Sequence, residues 1–174
     1  MTIGVVAGVL FTGLLVIACV SDVRTRRIPN NLIITLALGG LVYAMTTNSP
    51  LAALERALAG GATGLGLWLP FWLARVLGAG DVKLAAASGV WLGAAGIVEA
   101  SLVAAVAGGV LAVWALVRQS GVADGATRFG TWLLASRASR SLAPELTPRE
   151  KRVPYGLAIA AGAALVAWVP GLIW

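Results

Sequence analysis

The chain has 174 residues, 59% of them hydrophobic and only 11% charged, and its mean hydropathy is +0.91. So few charges exclude an ordinary soluble domain, make the bilayer the solvent, and predict an all-α polytopic membrane protein. The lack of histidine and the single cysteine, Cys19, exclude HExxH and CxxC zinc sites and any Ser-His or Cys-His nucleophile pair. A Ser-Lys pair with Lys83 or Lys151 finds no serine in an activated setting, so no cofactor or metal is expected and carboxylates remain as the acid–base groups. The net charge of +6 reads as membrane orientation, with no nucleic-acid partner implied.

Ile3 to Val20 carries no charge and as a helix is about 27 Å long, enough to span. Val16-Ile17-Ala18-Cys19 resembles a lipoprotein processing box, but Met1-Thr2 supplies no basic n-region for a signal peptide. Ser21 to Asn31 is a polar, basic connection holding Asp22, Arg24, Arg26 and Arg27. Pro29 suits the first turn of a second helix that runs to about Met45. After a loop from Thr46 to Pro50, with Glu55 and Arg56 ahead of the next span, a third helix covers Ala57 to Leu77. Pro70 is expected to kink it, and Trp68 and Trp72 to approach a membrane interface.

Gly78-Ala79-Gly80-Asp81 then sets a carboxylate between two apolar runs. Its glycines allow a tight turn and close approach by another chain; the bland alternative is a loop whose Asp81 caps the next helix. Leu84 to Val117 as one helix would measure about 51 Å against a hydrocarbon core of about 30 Å. Gly93, Gly96 and Glu99 therefore mark a turn between two spans. Gly60/Gly64 and Gly89/Gly93 have the spacing that lets helices pack closely in lipid. Residues 118–153 form a long hydrophilic loop in which Phe129, Trp132 and Leu133, with Arg128, Arg137 and Arg140, make either a surface helix or a solvated stretch. A last helix runs from Pro154 to Trp174.

These readings make one membrane domain, 1–174, with six transmembrane helices. Arg24, Arg26 and Arg27, then Arg75 and Lys83, then Arg118, Arg128, Arg137, Arg140, Arg149, Lys151 and Arg152 fall on one side. Of the 13 basic residues only Arg56 falls on the other, which places both termini outside and the basic loops in the cytoplasm. Asp22 and Asp81 then share the cytoplasmic edge, while Glu55 and Glu99 lie opposite and Asp124, Glu145 and Glu150 lie in the long loop. Two carboxylates in one poorly solvated site do not both ionise easily, so one is charged while the other holds a proton. That is what an aspartic protease needs. Alternatively, Asp22 merely offsets Arg24 or Arg26.

Asp22 with Ile28-Pro29-Asn30, then Gly78-Ala79-Gly80-Asp81-Val82-Lys83-Leu84, then Val153-Pro154-Tyr155-Gly156 together resemble the type IV prepilin peptidase family, membrane aspartic endopeptidases of the GxGD type. The resemblance implies that Asp22 and Asp81 are catalytic, with Gly78, Gly80, Lys83, Pro29 and Asn30 as the surrounding backbone and substrate motif. The role of Pro154-Tyr155-Gly156 does not follow from it. It implies a prepilin-like membrane substrate whose leader is cut on the cytoplasmic side, and a place in the inner membrane of a prokaryote. Because the chain opens directly on its first span and lacks the cysteine pairs of bifunctional members, the short peptidase-only form of Flp/Tad-type pili is expected. The competing classes are a small proton-coupled transporter and a non-catalytic subunit of a pilus or secretion assembly.

Overall fold

The computed structural model describes residues 2–25, 27–74, 77–138 and 155–169. Among these the chain is all-α: α1 Thr2–Thr25, α2 Asn30–Thr47, α3 Pro50–Leu73, α4 Ala79–Ala138 and α5 Tyr155–Trp168. Residues 1–107 with 154–174 form one compact unit, and residues 108–153 form another. Among the described residues three stretches, Gly4–Thr25, Asn30–Thr47 and Ala79–Val110, are long and apolar enough to cross a membrane. In the second unit α4 stays helical to Ala138, so residues 118–138 take the helical of the two expected forms; residues 139–154 lie outside the described residues.

Helix ends depart from expectation where local chemistry overrides hydropathy. α1 runs past Val20 to Thr25, because nothing in Ser21–Thr25 breaks a helix, and Arg24 in its last turn suits the negative end of the dipole. Asp22 therefore stands on the last helical turn and not in a loop. The Ser21 hydroxyl donates to the Arg27 carbonyl at 2.9 Å, which folds the connection back on α1. Pro29 is extended (φ −60°, ψ 136°) and precedes α2 as its cap; its carbonyl accepts from Leu32 and Ile33 at 3.1 and 3.3 Å. α3 begins at Pro50, a residue suited to a first turn, so Glu55 and Arg56 are already helical. It passes Pro70 and ends at Leu73, so the proline sits in the closing turn and not at a bend within the span.

α4 abandons a straight course at Gly93, whose φ of +76° lies in the left-handed region that glycine occupies without penalty. Its first limb packs antiparallel to α3: Gly89 lies on Gly60 backbone to backbone, and Gly64 on Ala85. Trp68 lies about 12 Å farther along α3 than Gly60, whereas Ser101 on a straight α4 would lie about 18 Å beyond Gly89 in the opposite direction. Yet the Trp68 indole N–H donates to Ser101 Oγ at 2.9 Å. Two limbs therefore abut head to tail at Gly93, as the length of the apolar run required. The second limb returns along α5, with Gly162 against Ala100 and Gly96 near Val166. Arg56 reaches the reversal and donates over 3.5 and 3.4 Å to the Trp91 and Leu92 carbonyls, just ahead of Gly93.

Trp91 gathers α1, α2 and α4. Its indole N–H donates to the Leu36 carbonyl at 2.6 Å, and its ring lies 5.1 Å from Phe11 and 5.7 Å from Tyr43. Trp68, expected at an interface, is instead 7% exposed, because Ser101 satisfies its N–H inside the bundle. Glu99 also moves: it is 3% exposed on the returning limb and not at the turn. The outer faces of α1, α2 and α3 carry exposed Val9, Ile17, Leu38, Val42, Leu51 and Leu58, an arrangement suited to lipid and not to water.

Candidate active site

Gly78 stands at the cap position ahead of α4, so Ala79, Gly80 and Asp81 form its first turn. The Gly78 carbonyl accepts from the Asp81 N–H at 3.2 Å, and the Gly78 N–H donates to Asp81 Oδ2 at 3.1 Å. This is the returning half of a capping box, in which the third helical residue satisfies the backbone N–H of the cap. One oxygen of the carboxylate is thereby held, which leaves Oδ1 to face the interior of the site. Asp81 does cap the helix, and that contact also aims it.

Neither Gly78 nor Gly80 adopts a left-handed φ, so a tight turn is not the reason for glycine at these positions. A methyl at Gly80 would only touch Ile28 at 3.5 Å, an ordinary contact. Around them the two motifs interlock. Ile28 packs on Gly80, and the exposed Lys83 ammonium donates to Asn30 Oδ1 at 3.0 Å, tying the start of α4 to that of α2.

Asp22 and Asp81, both half-buried, come to the same place from α1 and α4. A methyl built on Gly156, in the first turn of α5, would stand 3.0 Å from Asp22 Oδ2 and 3.2 Å from Asp81 Oδ1. The two oxygens are therefore no farther apart than the sum of those distances. Asp22 is close enough for its charge to act on Asp81 directly. So three helices converge, two bringing a carboxylate and the third bringing bare backbone. Of the residues singled out in the sequence, Asp22, Asp81, Gly78, Gly80, Pro29, Asn30 and Lys83 all fall at this end of the bundle. The position whose role stayed unassigned was Gly156. Its only signal was that Val153-Pro154-Tyr155-Gly156 was among the segments that resemble the family, ahead of a last apolar helix.

Residues 9–113 match the model of the type IV leader peptidase family. The chain belongs to that family. It is 31% identical over 144 residues to a prepilin leader peptidase/N-methyltransferase of Dickeya chrysanthemi, covering 78% of this chain and 50% of the relative. To the protein of that name in Pectobacterium carotovorum subsp. carotovorum it is 34% identical over 127 residues, 68% of this chain and 44% of the relative. To that of Klebsiella pneumoniae it is 38% identical over 94 residues, 49% of this chain and 40% of the relative. The chain thus spans about half the length of the curated relatives it matches, and no solved structure matches it. The family match includes Asp22, Asp81 and both motifs around them, and ends before Gly156.

Proposed function

We propose that this chain is a membrane aspartic endopeptidase that removes the leader peptide from type IV or Flp-type prepilins. The observation that carries the reading is the convergence of Asp22 and Asp81 on one point beside Gly156, within a chain of the type IV leader peptidase family. In the reaction, the ionised carboxylate takes a proton from water as the oxygen attacks the scissile carbonyl, while the protonated partner gives a hydrogen bond to the carbonyl oxygen. The tetrahedral intermediate then collapses: the amide C–N bond breaks, the new amine takes a proton from the acid that received it, and the pair regains its single shared proton. No metal is needed for that sequence. The unheld Asp81 Oδ1 faces Asp22, as the step requires.

The same reading gives the chain six spans, with the two limbs of α4 counted separately and both termini outside. It places the acid pair at the cytoplasmic edge of a prokaryotic inner membrane. The supports are the reversal at Gly93 and the one-sided placement of basic residues. Orientation is tested by single cysteines in a Cys19-free chain. One in place of Asn48 labels with an impermeant thiol reagent from outside; one in place of Ala123 labels only after the membrane is opened. The reverse pattern separates the acids from a cytoplasmic leader and sinks the assignment. The activity is tested by co-expression with a candidate prepilin, which loses a leader-sized fragment in the presence of this chain.

A further inference from the structure

We propose that Gly156 is a positioning residue for leader cleavage: by carrying no side chain it keeps open the gap between the two carboxylates where water and the scissile carbonyl meet. The inference rests on the peptidase reading of that same pair.

The described glycines divide by what a side chain would strike. At Gly60, Gly64, Gly89 and Gly162 it would meet the backbone of another helix, so those glycines serve packing. At Gly156 its three nearest neighbours would be Asp22 Oδ2 at 3.0 Å, Asp81 Oδ1 at 3.2 Å and Asp22 Cγ at 3.5 Å. No other described glycine has both acids as its neighbours. A water bridging two carboxyl groups sits about 2.7–3.0 Å from an oxygen of each. A methyl carbon at position 156 would compete for that volume, or push one carboxylate off its line.

Two further features agree. Gly156 is buried, so the small residue is not explained by an exposed or mobile setting. It also lies in the first turn of α5, whose N–H groups have no acceptor within the helix and whose dipole presents its positive end there. A side chain would hold that end away from the acids; bare backbone lets it approach. The family match ends at residue 113, so this part of the site comes from a segment outside it.

The test compares Gly156→Ala with Gly162→Ala in the full chain, in detergent, with a prepilin substrate. Gly156→Ala is expected to keep the thermal midpoint and KM near wild type while kcat falls at least ~100-fold, the scale set by misplacing reacting groups by about 1 Å. It should weaken a leader-derived peptide inhibitor bearing a secondary hydroxyl at the scissile position to a similar extent. Gly162→Ala should lower the midpoint and yield while sparing kcat per folded molecule. Wild-type kcat in Gly156→Ala overturns the inference. Should Gly156→Ala fold poorly, the double variant with Asp22→Ala decides: recovery of the midpoint places the methyl against that carboxylate, and no recovery refutes it. Asp22→Asn and Asp81→Asn run alongside separate the two claims. If either still cuts, the peptidase reading fails; if both are silent and Gly156→Ala is active, only the role of Gly156 fails.

Discussion

Two places in the unit formed by residues 1–107 and 154–174 bring charged groups against the helix bundle, and they do so in opposite ways. At the reversal, Arg56 hydrogen-bonds the Trp91 and Leu92 carbonyls beside the left-handed Gly93. A cation that hydrogen-bonds backbone carbonyls of a neighbouring helix ties the two together, so its use is architectural. At the other end, two carboxylates are brought together from α1 and α4 with glycine backbone beside them. Asp81 also caps α4, but bringing a second acid beside it has a cost, since like charges repel and each loses solvation. Polarity that pairs with backbone is what structure calls for, and like charges brought together are what the proposed chemistry calls for. Each substitution below is chosen to break that division or sharpen it.

The largest effect belongs to the acid pair. Asp22→Ala and Asp81→Ala are each expected to lower prepilin cleavage by at least about 1,000-fold, since a site that works as a unit fails when either member is lost. Membrane insertion should persist. Asp81→Ala also leaves the Gly78 N–H without its acceptor, at a cost of about 1 kcal/mol in stability. Asp81→Asn keeps an acceptor oxygen, so it should be as silent as the alanine variant yet nearly as stable as wild type. Cleavage at the normal rate by any of these variants removes the chemical reading of this end.

A second, smaller effect belongs to packing. Gly89→Leu forces a side chain into the Gly60 backbone, where α3 and α4 touch without intervening atoms. Overpacking of this kind costs about 1–3 kcal/mol or more. It should appear as a lower thermal midpoint and yield in detergent, with cleavage per folded molecule close to wild type. A stable Gly89→Leu protein that has lost activity would mean that this helix crossing sets the geometry of the acids, and the division between the two ends would blur.

Much of this was legible in the sequence for reasons of length and charge. An apolar run too long for one crossing had to turn, and the turn falls at Gly93, the first of the three residues that marked it. Asp22 and Asp81 were paired by topology, and they meet in space. What hydropathy concealed were the helix ends. α1 continues through charged Asp22 and Arg24 because helix formation does not stop where hydrophobicity does, and α3 starts at Pro50 because proline suits a first turn. Trp68 looked interfacial, and Trp91 carried no signal, since nothing in a one-dimensional pattern reveals that Ser101 and the Leu36 carbonyl await their N–H groups. Gly156 was hidden for a similar reason. Its meaning lies in what a side chain would touch, and those contacts come from residues 22 and 81.

The smallest expected effect concerns Glu99, which tests the division most sharply. It is buried at 3% exposure, and its Oε2 has no hydrogen-bond partner among the described residues. An acid in that setting invites a functional reading, and a proton-coupled transporter would need such a group within the bundle. Yet it lies on the limb returning from Gly93, away from Gly156, where Asp22 and Asp81 meet. Glutamine has nearly the same shape and keeps one oxygen acceptor, so Glu99→Gln leaves the packing intact while removing the capacity to carry a proton. If chemistry is confined to the aspartate pair, the variant cleaves prepilin within about twofold of wild type, a difference under 0.5 kcal/mol in the barrier. The measurement is an initial cleavage rate at matched amounts of folded protein. A Glu99→Gln protein that folds but has lost most of its activity would make Glu99 a third functional acid, and the chemistry could no longer be confined to the aspartate pair.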